Sequence, residues 1–152
     1  MAGGLGSRLS PITMDEPKCL VKILSKPFIS YLFDYLLREG VEHVVLSLGY
    51  GATKISKWLE VNKYPFEITI VVEKEQLGTG GAIKNAISAI KGNVFFVMNG
   101  DTLFKVDTNA MEMVYMQKDA DITIALRPMQ NIERYGSVTL DGNNRIVRFK
   151  EK

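Results

Sequence analysis

Short apolar runs at residues 44–48, 68–72 and 94–98 alternate with stretches whose apolar residues recur at helical spacing. That alternation restricts the fold more than any other feature of the chain. Runs apolar on both faces read as strands of a mostly parallel sheet covered by helices on each side. Residues 28–38 carry a helical pattern that stops before Gly40, and residues 52–59, 82–90 and 108–118 give three more helices. Asp107 is placed to cap the last of them. Residues 121–126 read as a further strand. Residues 135–140 and 145–149 flank Asp141-Gly142-Asn143-Asn144, which marks a hairpin. The expected class is α/β: a three-layer α/β/α sandwich around a mostly parallel sheet.

With 152 residues, 46% of them hydrophobic, the chain can bury a sizeable core in one domain. A net charge of +2 without a basic block gives no reason to expect nucleic acid or a membrane surface as partner. The single cysteine, Cys19, excludes an internal disulfide framework and fits a reducing, cytoplasmic setting. It reads as a packing residue, and the single histidine, His43, as a structural one. Trp58 and the aromatics of residues 28–35 read as core. No apolar run reaches the length of a membrane span.

The opening segment, Ala2-Gly3-Gly4-Leu5-Gly6-Ser7-Arg8-Leu9, concentrates three glycines, and Pro17-Lys18 follows. Glycines leave backbone N–H groups unshielded, so a polyphosphate can lie against the main chain, with Arg8 and Lys18 adding charge-assisted contacts. A tight glycine turn beside two solvated cations is the alternative. The P-loop template fails, because the position that needs its second glycine holds Arg8 counted from Gly3 and Ile83 counted from Gly78. The dinucleotide fingerprint also fails, since Leu9 stands where a third glycine is required.

Ligands of open parallel sheets bind beyond the carboxyl ends of the strands. Asn99-Gly100-Asp101 follows the most apolar strand, and an aspartate there suits Mg²⁺, which takes few protein carboxylates and otherwise uses phosphate oxygens and water. Asp101 as a turn cap is the other reading. Glu73 offers two acceptors to the N1–H and amino donors of guanine, or is a solvated strand-end glutamate. Leu77-Gly78-Thr79-Gly80-Gly81 either admits a purine or ribose against backbone or simply opens a helix.

Taken in order, Gly3-Gly4-Leu5-Gly6-Ser7-Arg8-Leu9, Pro17-Lys18, Leu77-Gly78-Thr79-Gly80-Gly81, Asn99-Gly100-Asp101 and Tyr135-Gly136 make the chain resemble the sugar-1-phosphate nucleotidyltransferases over essentially its whole length. Within that family the wording at 77–84, 99–102 and 134–136 is most similar to the D-glycero-α-D-manno-heptose 1-phosphate guanylyltransferases. The resemblance implies a Rossmann-like fold of the nucleotide-diphospho-sugar transferase type. It also implies a nucleoside triphosphate and a sugar 1-phosphate as substrates, Mg²⁺ as cofactor, and a place in nucleotide-sugar biosynthesis for lipopolysaccharide or capsule.

Residue by residue, the resemblance puts the triphosphate on Ala2, Gly3, Gly4, Gly6, Ser7 and Arg8, with Lys18 on phosphate. It puts the base at Glu73, Gly78 and Thr79, the metal on Asp101, and the sugar at Gly136 and Glu151. Lys152 falls on the lysine that holds the sugar phosphate, so Arg8, Lys18 and Lys152 are the candidate catalytic residues. Cys19 stands where the family usually has proline. The family's second metal aspartate would lie downstream of Lys152, and only Met1 and Ala2 precede the loop that a strand should hold. Residues 1–152 are therefore expected to be one nucleotidyltransferase domain truncated at both ends, and a fragment inactive by itself. The implied reaction needs no protein nucleophile: a sugar 1-phosphate oxygen attacks the α-phosphorus in line and pyrophosphate leaves. Rival readings change the reagents (mannose 1-phosphate with GTP, or glucose 1-phosphate with a pyrimidine triphosphate) or make the chain a non-catalytic nucleotide- or sugar-binding module. Self-association is left open.

Overall fold

A computed structural model describes residues 16–130 and 135–150. The chain divides into two compact units, Met1–Thr108 and Asn109–Lys152. The first begins, within the described part, with a 3₁₀ turn at Lys18–Leu20, followed by the short antiparallel pair β1 (Lys22–Ile23) and β2 (Lys26–Pro27). Helix α1 (Phe28–Arg38), strand β3 (His43–Leu48), helix α2 (Ala52–Val61), strand β4 (Glu67–Val72) and helix α3 (Gly78–Ala86) follow. These are the helices and strands that apolar spacing predicts, except that α3 spans Gly78–Ala86 where the pattern runs over residues 82–90, and Ile87–Ala89 form a separate 3₁₀ turn. Glycine gives no apolar signal, so the first turn of α3 is invisible to periodicity.

Strands β3 and β4 pair in parallel, from His43 opposite Glu67 to Leu48 opposite Val72. Helix α2 makes the crossover that parallel strands require. The even-numbered face of this pair carries the core. Leu46 and Leu48 cluster with Ile29 and Phe33 of α1, Ile55 and Leu59 of α2, and Cys19, Leu20 and Phe66. Phe33 sits at its centre, with edge-on contacts to Tyr64 and Phe66 at centroid distances of 4.7 and 5.3 Å. Burying each of these side chains contributes roughly 1.5–3 kcal/mol. Helix α3 lies against β3, with Ala82 and Ala86 buried outside that cluster. Helices on both sides of a parallel pair give the expected α/β class.

The run at residues 94–98 is a correction. It is not a strand, and Val94, Phe95, Phe96 and Val97 are 40–49% exposed. Residues 121–126 are likewise not in a strand, with Ile122 78% exposed. An extended segment becomes a strand only when a neighbouring backbone takes its N–H and C=O groups. Among the described residues, the three sheets are the pairs β1–β2 and β3–β4 and a hairpin within residues 137–150, and none includes either run. Hydrophobic pattern records a side-chain preference and contains no information about the ladder partner.

The second unit contains most of helix α4 (Thr108–Gln117) and the antiparallel hairpin of β5 (Ser137–Leu140) and β6 (Ile146–Lys150). The expected Asp141 turn closes the hairpin: Asp141 Oδ1 accepts from the backbone N–H groups of Asn143 and Arg145 at 2.8 and 2.9 Å. These two bonds hold the Asp141 carboxyl below its ordinary value. Thr108, which opens α4, belongs to the first unit, where Glu39 Oε2 accepts from its amide and hydroxyl at 3.1 and 2.9 Å. This distant carboxylate was not visible as a cap from local sequence.

Candidate active site

The 3₁₀ turn at Lys18–Leu20 buries Cys19 and Leu20 in the core and leaves Lys18 turned outward. Pro17 precedes it in extended conformation, and its carbonyl accepts from the Leu20 amide at 2.8 Å. Burial pushes the Cys19 thiol up to about 11, so it stays protonated at neutral pH and acts as a packing residue, not a nucleophile. The core thus anchors a cation by gripping the two residues that follow it.

Pro17 packs on Gly51, the last of the three residues between the end of β3 and the start of α2. Lys18 therefore sits at the carboxyl end of the parallel pair. There its Nζ lies 3.7 Å from Asp101 Oδ2. Asp101 also accepts from the Thr102 hydroxyl, through Oδ1, at 3.3 Å. Lys18 and Asp101 are 83 positions apart in sequence, and the structure brings the phosphate-binding and metal-binding candidates to one spot.

Glu73 follows β4 directly. Its backbone N–H donates to the Leu48 carbonyl at 2.7 Å, which carries the ladder one step beyond the strand. Its Oε1 accepts from the hydroxyl of Ser47, a β3 residue that is buried, at 2.8 Å. Gly78 and Thr79 open α3 a few residues later, both exposed. Gly78 has φ +67°, a left-handed conformation that favours glycine, and a side chain on Gly81 would stand 2.8 Å from Leu77 Cβ. Glu73 thus lies at the same carboxyl end of the parallel pair as Lys18, and Gly78 and Thr79 follow it in sequence at the start of α3.

The remaining candidates divide by position. Gly136 lies in the second unit, packed beneath Phe149, where an added Cβ would come within 3.3 Å of the ring. Ala2, Gly3, Gly4, Gly6, Ser7, Arg8, Glu151 and Lys152 lie outside the described residues. His43 is structural: its Nε2 is 2.9 Å from Thr69 Oγ1 and 3.9 Å from Glu67 Oε1, at the opposite end of the strands. Sequence reasoning missed Ser47 and Gly51. Ser47 had a readable signal, a hydroxyl inside an otherwise apolar strand. Gly51 had a weaker one, a glycine between a strand and a helix.

Asp101 stands without a cluster of further ligands: among the described residues, no three His, Cys, Asp or Glu side chains converge. The Asp101 carboxylate is a hard oxygen donor and fits a divalent cation that also takes substrate oxygens and water. No helix among the described residues is long and apolar enough to cross a membrane.

Known proteins share this sequence and this fold. The family model "Nucleotidyl transferase" matches residues 1–152. The chain is 40% identical over its full length to the D-glycero-alpha-D-manno-heptose 1-phosphate guanylyltransferase of Aneurinibacillus thermoaerophilus, and 36% identical to that of Campylobacter jejuni, covering 66% of each relative. The chain thus spans about two thirds of the length of these relatives. The crystal structure of HddC from Yersinia pseudotuberculosis superposes with a TM-score of 0.79 at 35% identity, over 99% of this chain and 67% of that one. The same protein complexed with GMP-PN gives a TM-score of 0.78 at 34% identity. These neighbours carry the Rossmann-like α/β fold that the resemblance implies, in the α/β class that the strand and helix pattern predicts. The chain belongs to the nucleotidyl transferase family.

Proposed function

We propose that the protein transfers a guanylyl group from GTP to a heptose 1-phosphate, giving GDP-heptose and pyrophosphate. The observation that carries the reading is the approach of Lys18 Nζ to within 3.7 Å of Asp101 Oδ2 at the carboxyl edge of the parallel pair. A cation and a metal-binding carboxylate side by side suit a magnesium–nucleotide complex, whose phosphates need both. The heptose 1-phosphate guanylyltransferases among its relatives, and the guanine nucleotide in HddC, support GTP and a heptose 1-phosphate over other pairs.

In this reading an oxygen of the sugar 1-phosphate attacks the α-phosphorus, the bond from that phosphorus to the bridging β-phosphate oxygen breaks, and pyrophosphate leaves. Catalysis is positioning and charge neutralisation, with no covalent enzyme intermediate. Lys18 exchanges its carboxylate partner for phosphate oxygens. Arg8 and the amides of Ala2, Gly3, Gly4, Gly6 and Ser7 hold the rest of the triphosphate. Asp101 holds Mg²⁺, which when bound neutralises charge on the phosphates. Glu73 reads the base, with Gly78 and Thr79 beside it. Gly136 and Glu151 take the sugar, and Lys152 its phosphate. The setting is the cytoplasm, in nucleotide-sugar supply for surface polysaccharide.

The deciding experiment measures pyrophosphate release and NDP-sugar formation by the full-length protein. GTP, CTP, UTP and dTTP are each paired with heptose, mannose and glucose 1-phosphates. GDP-heptose as the dominant product is the expected outcome. Turnover only with mannose 1-phosphate, or only with a pyrimidine triphosphate, would replace the substrate assignment, and no turnover with any pair would overturn the activity.

A further inference from the structure

We infer that Ser47 is the positioning residue that fixes base selection, by clamping the Glu73 carboxylate from inside the sheet. The inference rests on the reading of Glu73 as the base-recognising residue. Ser47 pairs in register with Val71, so the two side chains share the odd-numbered face of the sheet. Glu73 lies two residues beyond Val71 and returns to that face. The Ser47 hydroxyl is therefore directed along the sheet toward the carboxylate, and its bond to Oε1 measures 2.8 Å. Ser47 is only 3% exposed, while Glu73 is half-buried at the rim.

The chemistry follows from counting lone pairs. An ionised carboxylate offers about four acceptor sites on two oxygens. Ser47 takes one, on Oε1, and with the Glu73 amide tied to Leu48 O it holds the group in one rotamer. The remaining sites face a ligand as a fixed pair of acceptors. Guanine presents two adjacent donors, N1–H and the 2-amino group, which match that pair. Adenine presents an N1 acceptor at the same edge and would meet like against like. A carboxylate free to rotate could still accept one hydrogen bond, but it would lose the paired geometry that separates a two-donor edge from a one-donor edge. A buried serine with no access to ligand thus acts on selectivity through its neighbour.

The test compares GTP with ITP, whose base lacks the 2-amino group, as substrates of the full-length protein. Ser47→Ala is expected to lower kcat/KM for GTP by about tenfold to thirtyfold and for ITP by only about threefold, collapsing the preference. The change should lie mainly in KM. The isosteric pair Ser47→Thr and Ser47→Val provides a second reading at matched volume, because only the threonine keeps the hydroxyl. Thr retaining the GTP preference while Val loses it is the outcome a purely structural serine would not produce. If Glu73→Gln collapses the preference while Ser47→Ala and Ser47→Val leave it intact, the clamp is overturned and the role of Glu73 stands. If Glu73→Gln also leaves it intact, base reading by Glu73 falls, and the clamp with it.

Discussion

Gly51 and Pro17 approach so closely that a side chain on Gly51 would place its Cβ 2.3 Å from Pro17 Cγ. Gly51 also has φ +77°, in the left-handed region. This contact sets Pro17, and with it the turn that presents Lys18, against the carboxyl end of β3. Both constraints act on one position, so Gly51→Ala is expected to destabilise the fold by about 2 kcal/mol or more, read from urea denaturation. Gly51→Asn tolerates the backbone angle but still strikes the ring. Pro17→Ala should rescue part of the loss in either variant. Equal stability of Gly51→Ala and the parent would show that the contact does not constrain the chain.

Phe33 concentrates the packing of the first unit. It is 2% exposed and meets Tyr64, Phe66 and Trp58 at centroid distances of 4.7, 5.3 and 6.5 Å. Truncation leaves a cavity that three rings cannot all fill, so Phe33→Ala should cost about 3–5 kcal/mol, and Phe33→Leu about 1–2 kcal/mol. The check is a fall in denaturation midpoint at unchanged slope. A cost below about 1 kcal/mol for the alanine variant would mean that the cluster collapses around the gap.

How much of this was legible depends on what each element needs. Helix α1 runs over Phe28–Arg38 as its apolar spacing predicts, because an amphipathic helix closes its own hydrogen bonds and needs only one buried face. Strands β3 and β4 were legible for a related reason: the helix between them supplies the crossover that lets them pair. Residues 94–98 read as the most apolar strand and are not a strand, since a ladder partner is a non-local fact. The site divides similarly. Lys18, Glu73 and Asp101 could be named from motif order, while the closeness of Lys18 to Asp101 and the hidden bond from Ser47 could come only from the fold. The cap that Glu39 gives Thr108 spans 69 positions and has no local sequence sign.

The Asp141 turn predicts an acid-sensitive hairpin. Its carboxylate accepts backbone bonds from Arg145 and Asn143, which lower its folded-state pKa below the ordinary 3.8. A carboxyl depressed by folding contributes stability that is present above the ordinary value and lost as pH falls through the folded one. The β5–β6 hairpin should therefore be tightest at neutral pH and loosen well below pH 3.8. Carbon NMR of the Asp141 carboxyl should give a midpoint below 3.8, and Asp141→Ala should speed amide exchange at Asn143 and Arg145. A midpoint at or above 3.8 would contradict the turn geometry.

Lys18 and Asp101 can be separated from a merely structural ion pair by where their loss is felt. The pair is partly exposed, with side chains 28% and 48% accessible, and such pairs contribute about 0–1 kcal/mol to stability. Lys18→Met and Asp101→Asn should therefore each move the denaturation midpoint very little. Each removes a charge that the proposed mechanism places on the phosphates or on the metal that neutralises them. The expected fall in kcat/KM is on the order of a hundredfold to a thousandfold. Asp101→Asn should in addition raise the Mg²⁺ concentration needed for half-maximal activity, and chelation of the metal should stop turnover in the parent protein. Lys18→Met should raise KM for the triphosphate without changing that metal requirement. The opposite pattern, lost stability with activity intact and the double variant restoring the fold, would assign the two residues to structure alone.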